Sequence, residues 1–368
     1  MRKVATFVAL AAAVGVGLFL GEQVIRSDPG TTTPHVSLTP RGPRSGPTFF
    51  LAGKVQPAPK GKIYWGAYRE NAPYQTSLVT GLESEVRRRP AILMWYQEWA
   101  GQPDFPAADA SWLFERGIVP MITWEPWKPP AVFATLVVDQ PQYRLARIAG
   151  GAFDAYIRHY AEEIRAYGGP VMLRPMHEMD GFWYPWCGTV NGNKPSDYVA
   201  AWRHMHDIFQ QVGATNVTWV WSVNHVSVPS SPDNQFEHYW PGPSYVDWVA
   251  VSGFNWGLAS PLSIWKGFPS VIGERYQGLL RYRKPIVLTE TGAPEVGGNK
   301  AQWILQAFTD ILDEFPRLKA VIWYDKRDTP LRDWRIDSTP ESLDAFRQAI
   351  AQPRILSADA AQATTITR

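Results

Sequence analysis

Cysteine is nearly missing from this chain of 368 residues, and the single Cys187 excludes any internal disulfide. No His stands within a few residues of it, as a thiol protease would need, so Cys187 beside Trp186 reads as a small packed residue. Charge is also scarce. Asp, Glu, Lys and Arg make up 19% of residues, and 36 basic against 34 acidic side chains leave a formal charge of +2. So small an excess gives no field to gather nucleic acid; Arg87-Arg-Arg89 reads as a solvated helix end. A zinc protease motif is absent too. His177-Glu178 would need a second His where Gly181 stands. The turn after the first strand-like run, Gly66-Ala-Tyr-Arg69, lacks the glycine pattern of a phosphate-binding loop.

Flat rings, by contrast, are abundant: aromatics are 13% of residues, with 18 Trp. Many Trp fill cores, yet the face of an indole also suits the C–H face of a sugar. Met1-Arg-Lys3 followed by the uncharged Val4 to Gly21 reads as a signal peptide or an uncleaved anchor, basic end inside. An extracytoplasmic protein, secreted or tethered to the membrane by residues 1–26, is the expectation. Residues 27–60, rich in Pro, Gly and Thr, are expected to form a flexible linker, and residues 353–368 a flexible tail.

Between them, apolar runs alternate with helical periodicity. The expected strands are Ile63–Ala67, Ala91–Trp95, Ile118–Thr123, Pro170–Leu173, Val217–Ser222, Trp248–Ser252, Pro285–Thr289 and Ala320–Trp323. Tyr156, Tyr160, Ile164 and Tyr167 recur at helical spacing, as do Trp202, Met205, Phe209 and Val212. Strands alternating with helices over residues 61–352 predict one (β/α)8 barrel, with a doubly wound open sheet as the alternative.

A barrel places its reactive groups at the C-terminal ends of its strands. Two acids fall there: Glu178 in Leu173-Arg-Pro-Met-His-Glu178 and Glu290 in Lys284-Pro-Ile-Val-Leu-Thr-Glu290. Alternation would put Arg174, Met176 and Glu178 on one side if the strand ran on. An inward Arg174 demands a carboxylate partner at the strand ends, such as Glu290. Two carboxylates at two strand ends are what cleavage of a glycosidic bond requires.

The stretch from Pro170 to Trp183 resembles the signature of glycoside hydrolase family 26. Pro120-Met-Ile-Thr-Trp-Glu-Pro-Trp127, Val246-Asp-Trp248 with Phe254-Asn-Trp-Gly257, and Pro285 to Gly292 resemble further motifs of that family, in order. The resemblance implies a (β/α)8 fold and a retaining endo-β-glycanase, with Glu178 as acid/base and Glu290 as nucleophile. Retention calls for carboxyl groups about 5–5.5 Å apart. It implies no metal or organic cofactor. β-1,4-Mannan is the first-choice substrate, with mixed-linkage β-glucan next, and a non-catalytic polysaccharide-binding protein is the rival. Substrate contacts are expected from His177, Trp183, Trp256, Trp323, Trp124, Glu125, Arg174 and Asn255. The polysaccharide is the only partner expected, and the protein is expected to be a monomer. Two positions depart from the family pattern: Asp180 where Asn is usual, and Phe254 where Tyr is usual.

Overall fold

The computed structural model describes residues 50–51, 53–130 and 137–358. The expected leader and most of the expected linker lie outside them. Eight parallel strands close on themselves: β1 (Ile63–Arg69), β2 (Ile92–Glu98), β3 (Val119–Glu125), β4 (Val171–Pro175), β5 (Val217–Asn224), β6 (Trp248–Ser252), β7 (Ile286–Thr291) and β8 (Leu318–Asp325). Each pairs with the next, and β8 returns to β1 with Ala320 opposite Tyr64 and Asp325 opposite Arg69. The closed ring leaves no ladder edge and rules out the open sheet.

Helices pack outside this ring. Those that matter here are α4 (Asp154–Tyr167), α5 (Pro195–Val212), α6 (Phe268–Leu279), α7 (Lys300–Asp313) and α8 (Pro340–Ile350); α1 (Thr76–Val86), α2 (Ala107–Glu115) and the short α3 (Leu145–Ala149) complete the set. The α4 and α5 periodicities are realised: Tyr160 and Ile164, then Trp202, Met205 and Phe209, are all buried. Asn299 and Thr339 cap α7 and α8 by accepting from Gln302 N and Ser342 N.

Alternation divides the core into two layers. Tyr64, Tyr68, Ile92, Met94, Met121, Met172, Val220, Ala250, Ile322 and Tyr324 fill the barrel interior. Trp65, Leu93, Ile122, Leu173, Trp219, Leu288 and Trp323 face the helices. Gly66 is required where the ring is tightest, since a Cβ there would lie 2.5 Å from Ile92 O.

Both expected domain boundaries need correction. The tail is not free from residue 353 on: Ile355–Leu356 adds a short parallel strand to β1, with Ile355 opposite Ile63. Residues 53–60 are not linker either. Val55 and Ala58 are buried at the barrel base, Trp248 Nε1 donates to Val55 O at 3.2 Å, and Lys54 pairs with Asp247 at 2.7 Å.

Candidate active site

The interior polar groups begin one layer below the mouth. Arg174, fully buried on β4, donates to Thr123 Oγ1 at 2.9 Å, to Ser222 Oγ at 3.4 Å and to Glu290 Oε1 at 2.5 Å. Burial opposes its charge, but Glu290 outweighs this and holds the guanidinium protonated. Arg174 thus acts on the second carboxylate rather than standing in the cleft.

Simple alternation does not account for Glu290. Ile286 and Leu288 face the helices, Val287 and Thr289 face inward, and Glu290 should turn outward again. A bulge in β7 prevents this. Val251 pairs with Leu288 but Ser252 with Glu290; on the other side Val321 pairs with Leu288 but Trp323 with Thr291. One extra residue on β7 lets both Thr289 and Glu290 point into the barrel.

Glu178 also reaches the mouth by a departure from strand geometry. The strand does not persist beyond Pro175. Met176 and Glu178 instead take left-handed backbone angles, φ 48° and 52°. Met176 N donates to Trp124 O on β3, and Glu178 N to Ser222 O on β5, so the segment zigzags between its neighbours. Such angles cost on the order of 1–3 kcal/mol each for residues with side chains. They hold the Glu178 carboxylate at the mouth, where Oε2 accepts from Trp183 Nε1 at 3.0 Å.

Glu178 and Glu290 both line one cleft of about 500 Å³, walled by Trp183, Tyr184, Asn224, His225, Phe254, Trp256, Tyr324, Asp328 and Trp334. Their surroundings differ. Burial, reinforced by the Glu290 charge, pushes the Glu178 carboxyl up to about 8. Glu290 has the Arg174 guanidinium to balance its charge. One acid is thereby held protonated near neutrality and the other is matched to a cation.

The remaining expected contacts divide. Trp183 and Trp256 line the cleft, Trp256 standing edge-on to Trp334 with Arg332 5.2 Å over its ring. Trp323 and Trp124 do not. Both are on the helix-facing parity: Trp323 packs on Phe346 of α8 and Trp303 of α7, and Trp124 on Tyr160 of α4 and Phe209 of α5. Their neighbours Tyr324 and Glu125 have the inward parity. Asn255 is also withdrawn; it is fully buried, and its Oδ1 accepts from Gly257 N and Lys266 N.

His177 and Glu125 form a buried pair behind the wall. His177 Nε2 lies 3.1 Å from Tyr184 Oη, and its Nδ1 lies 3.7 Å from Glu125 Oε1, too long for a hydrogen bond. Burial and the Arg174 charge push His177 well below the usual imidazole range. Burial pushes Glu125 up to about 8, although Trp127 Nε1 donates to its Oε2 at 3.1 Å. Neither lines the cleft.

Asp180 is structural. Its carboxylate accepts from Asn224 N at 2.9 Å, from Ser227 Oγ at 2.9 Å and from Arg275 Nη2 of α6 at 3.2 Å. Phe254 packs 4.9 Å from Trp334 and 5.4 Å from Tyr324, and offers Glu290 no donor. Tyr184, Asp328 and Trp334 were not expected. Tyr184 lies within the aromatic run of the acid motif, and Asp328 and Trp334 lie in an irregular loop after β8 that carries no periodic signal. Among the described residues, Asp104, His159 and Glu163 are the one group of acids and His whose ligand atoms converge, within 4.8 Å, and none lines the cleft.

A family model described as glycosyl hydrolase family 26 matches residues 119–265. Endoglucanase H of Acetivibrio thermocellus is 37% identical over 295 residues, 77% of this chain and 30% of that protein. Mannan endo-1,4-beta-mannosidase A and B of Caldalkalibacillus mannanilyticus is 29% identical over 177 residues, 45% of this chain and 30% of that protein. The chain therefore spans less than a third of the length of either relative. Among solved structures, a modular endo-beta-1,4-mannanase from Cellulomonas fimi superposes with a TM-score of 0.61 at 18% identity, covering 82% of this chain and 73% of that one.

Proposed function

Because the chain belongs to glycosyl hydrolase family 26, we propose that it is a retaining endo-β-glycanase using Glu290 as nucleophile and Glu178 as acid/base. The observation that carries this is the electrostatic contrast between two buried carboxylates in one cleft. Glu290, charge-matched by Arg174, attacks the anomeric carbon while Glu178 gives its proton to the departing glycosidic oxygen. The C–O bond to the leaving sugar breaks and a glycosyl ester to Glu290 forms. Glu178, now anionic, takes a proton from water as the water oxygen attacks the same carbon, and the ester carboxylate leaves. Trp183 Nε1 donates to Glu178 Oε2, which leaves the other oxygen to carry the proton.

The substrate proposed is a β-1,4-linked glucan ahead of a mannan. Support comes from the identity pattern: 37% over 295 residues to the protein named endoglucanase, against 29% over 177 residues to the mannosidase. Action outside the cytoplasm is proposed with it, on the basic start and the uncharged Val4 to Gly21.

The test is incubation with mixed-linkage glucan, carboxymethyl cellulose, mannan and xylan, assaying new reducing ends and, by NMR, the first anomer released. Expected are glucan cleavage with β-anomer first, and loss of turnover by at least about 10³-fold in Glu290→Ala with an unchanged circular dichroism spectrum. No sugar released from any polymer, or undiminished turnover by the variant, overturns the assignment.

A further inference from the structure

We propose that Asp328 is a specificity residue of the same cleft, a carboxylate kept there to accept a hydroxyl from the sugar ring held by Glu290. This rests on the hydrolase reading. Asp328 lies in the loop between β8 and α8, is buried, and lines the cleft with both acids. Its Oδ2 accepts from Trp334 Nε1 at 2.9 Å, and its Oδ1 is 3.4 Å from the Tyr324 hydroxyl, a long bond. No cation lies within ion-pair distance of Asp328 among the described residues; Lys326, bound to Glu70 at 2.7 Å, and Arg332 act on it only through their charges from farther away.

A carboxylate offers about four lone-pair positions; with two neutral donors in contact and cations only at a distance, burying it stays costly unless another donor arrives. The backbone commits the group to this place. Asp328 N donates to Arg332 O at 2.9 Å, and Trp334 N to Lys326 O at 2.9 Å, so the loop folds back on itself and presses Trp334 on Phe254 and Trp256. Glu178, in the loop after β4, protonates the leaving sugar, so groups beyond Glu290 on the β8 side meet the ring that stays attached. Tyr324, Asp328 and Trp334 are those groups: one flat wall and one charged acceptor.

Around Asp328 the titratable groups are Lys326 and Arg332 of its own loop, Tyr324 of β8, Tyr68 of β1, and Glu290 and Glu178 across the cleft. Burial raises its carboxyl to about 6 despite Lys326 and the bond from Trp334. The acceptor is therefore charged above that pH and lost below it.

The experiment compares wild type, Asp328→Asn and Asp328→Ala on the polymer that wild type cleaves, with calorimetric binding of cello- and manno-oligosaccharides alongside. Expected is a rise in KM of about ten- to a hundredfold, the range of one hydrogen bond to a charged group, with a smaller change in kcat. Wild-type KM should also rise as pH falls through about 6, and Asp328→Asn should flatten that limb. A purely structural residue would not move this limb. Asp328→Asn keeps the shape and carries the test if Asp328→Ala does not fold. A KM within twofold of wild type in Asp328→Asn, or a pH limb that persists, overturns the proposal. If wild type cleaves no polymer, the hydrolase reading fails by itself; oligosaccharide binding weakened in Asp328→Asn then still supports the acceptor role, and equal or absent binding overturns it.

Discussion

At the scale of one residue, the burial of Glu125 couples its protonation to folding. A carboxyl displaced from the usual range to about 8 by burial carries a stability consequence. The folded state holds its proton between about pH 4.5 and 8 while the unfolded chain has lost it, so folding binds protons and stability falls as pH rises through that window. Glu125→Gln removes the titration yet keeps an acceptor for Trp127 Nε1. Its melting temperature should exceed that of wild type at pH 9, by an amount reflecting a few kcal/mol at most, and the gap should close near pH 5. Calorimetry across pH checks this; a constant gap contradicts it. Parity works at the same scale. Trp124 and Trp323 were expected at the cleft as aromatics at strand ends in motifs that resemble the family's, but each is one residue out of phase with the interior and lies against helices.

At the scale of elements, the acid loop depends on α6. Asp180 follows Glu178 by two residues and is pinned by Arg275 of α6, Ser227 and the Asn224 backbone. Arg275 in turn stacks 4.1 Å over Phe236. The departure from Asn to Asp thus comes with a cation to match it, in a site excluded from water. Asp180→Asn leaves Arg275 buried without its counter-charge and should cost about 3 kcal/mol, the lower end for breaking a buried pair. Denaturant titration measures this. Asp180→Asn with Arg275→Met should recover part of the loss, since neither charge is then stranded; a double variant no more stable than the single one would contradict the pairing.

At the scale of the whole molecule, the barrel is closed at its base by segments expected to be loose. Val55 and Ala58 seal the interior from below, and Ile355–Leu356 lies beside β1. A chain starting at Lys60 loses the Val55 burial, its bond from Trp248 Nε1 and the Lys54–Asp247 pair. The expected cost is about 3 kcal/mol, mostly from exposed apolar surface. Activity at low temperature should be kept, because the plug and the cleft are at opposite ends of the barrel. A truncated chain as stable as the full one would show the plug to be idle.

The eight strands, the helices between them and the two acids at or just after strand ends were determined by the sequence, because apolar runs and helical periodicity are local signals and the acids directly follow two such runs. The inward Arg174 and its need for a strand-end carboxylate were legible too, since a buried guanidinium demands one; the structure supplies Glu290. Only tertiary structure decided the rest. The β7 bulge that turns Glu290 inward, the left-handed angles at Met176 and Glu178, and the placing of Asp328 and Trp334 over the cleft all arise from contacts between segments far apart in the chain. A bulge or a folded-back loop has no period of its own. Its energy comes from neighbours that meet only once the ring of strands has closed.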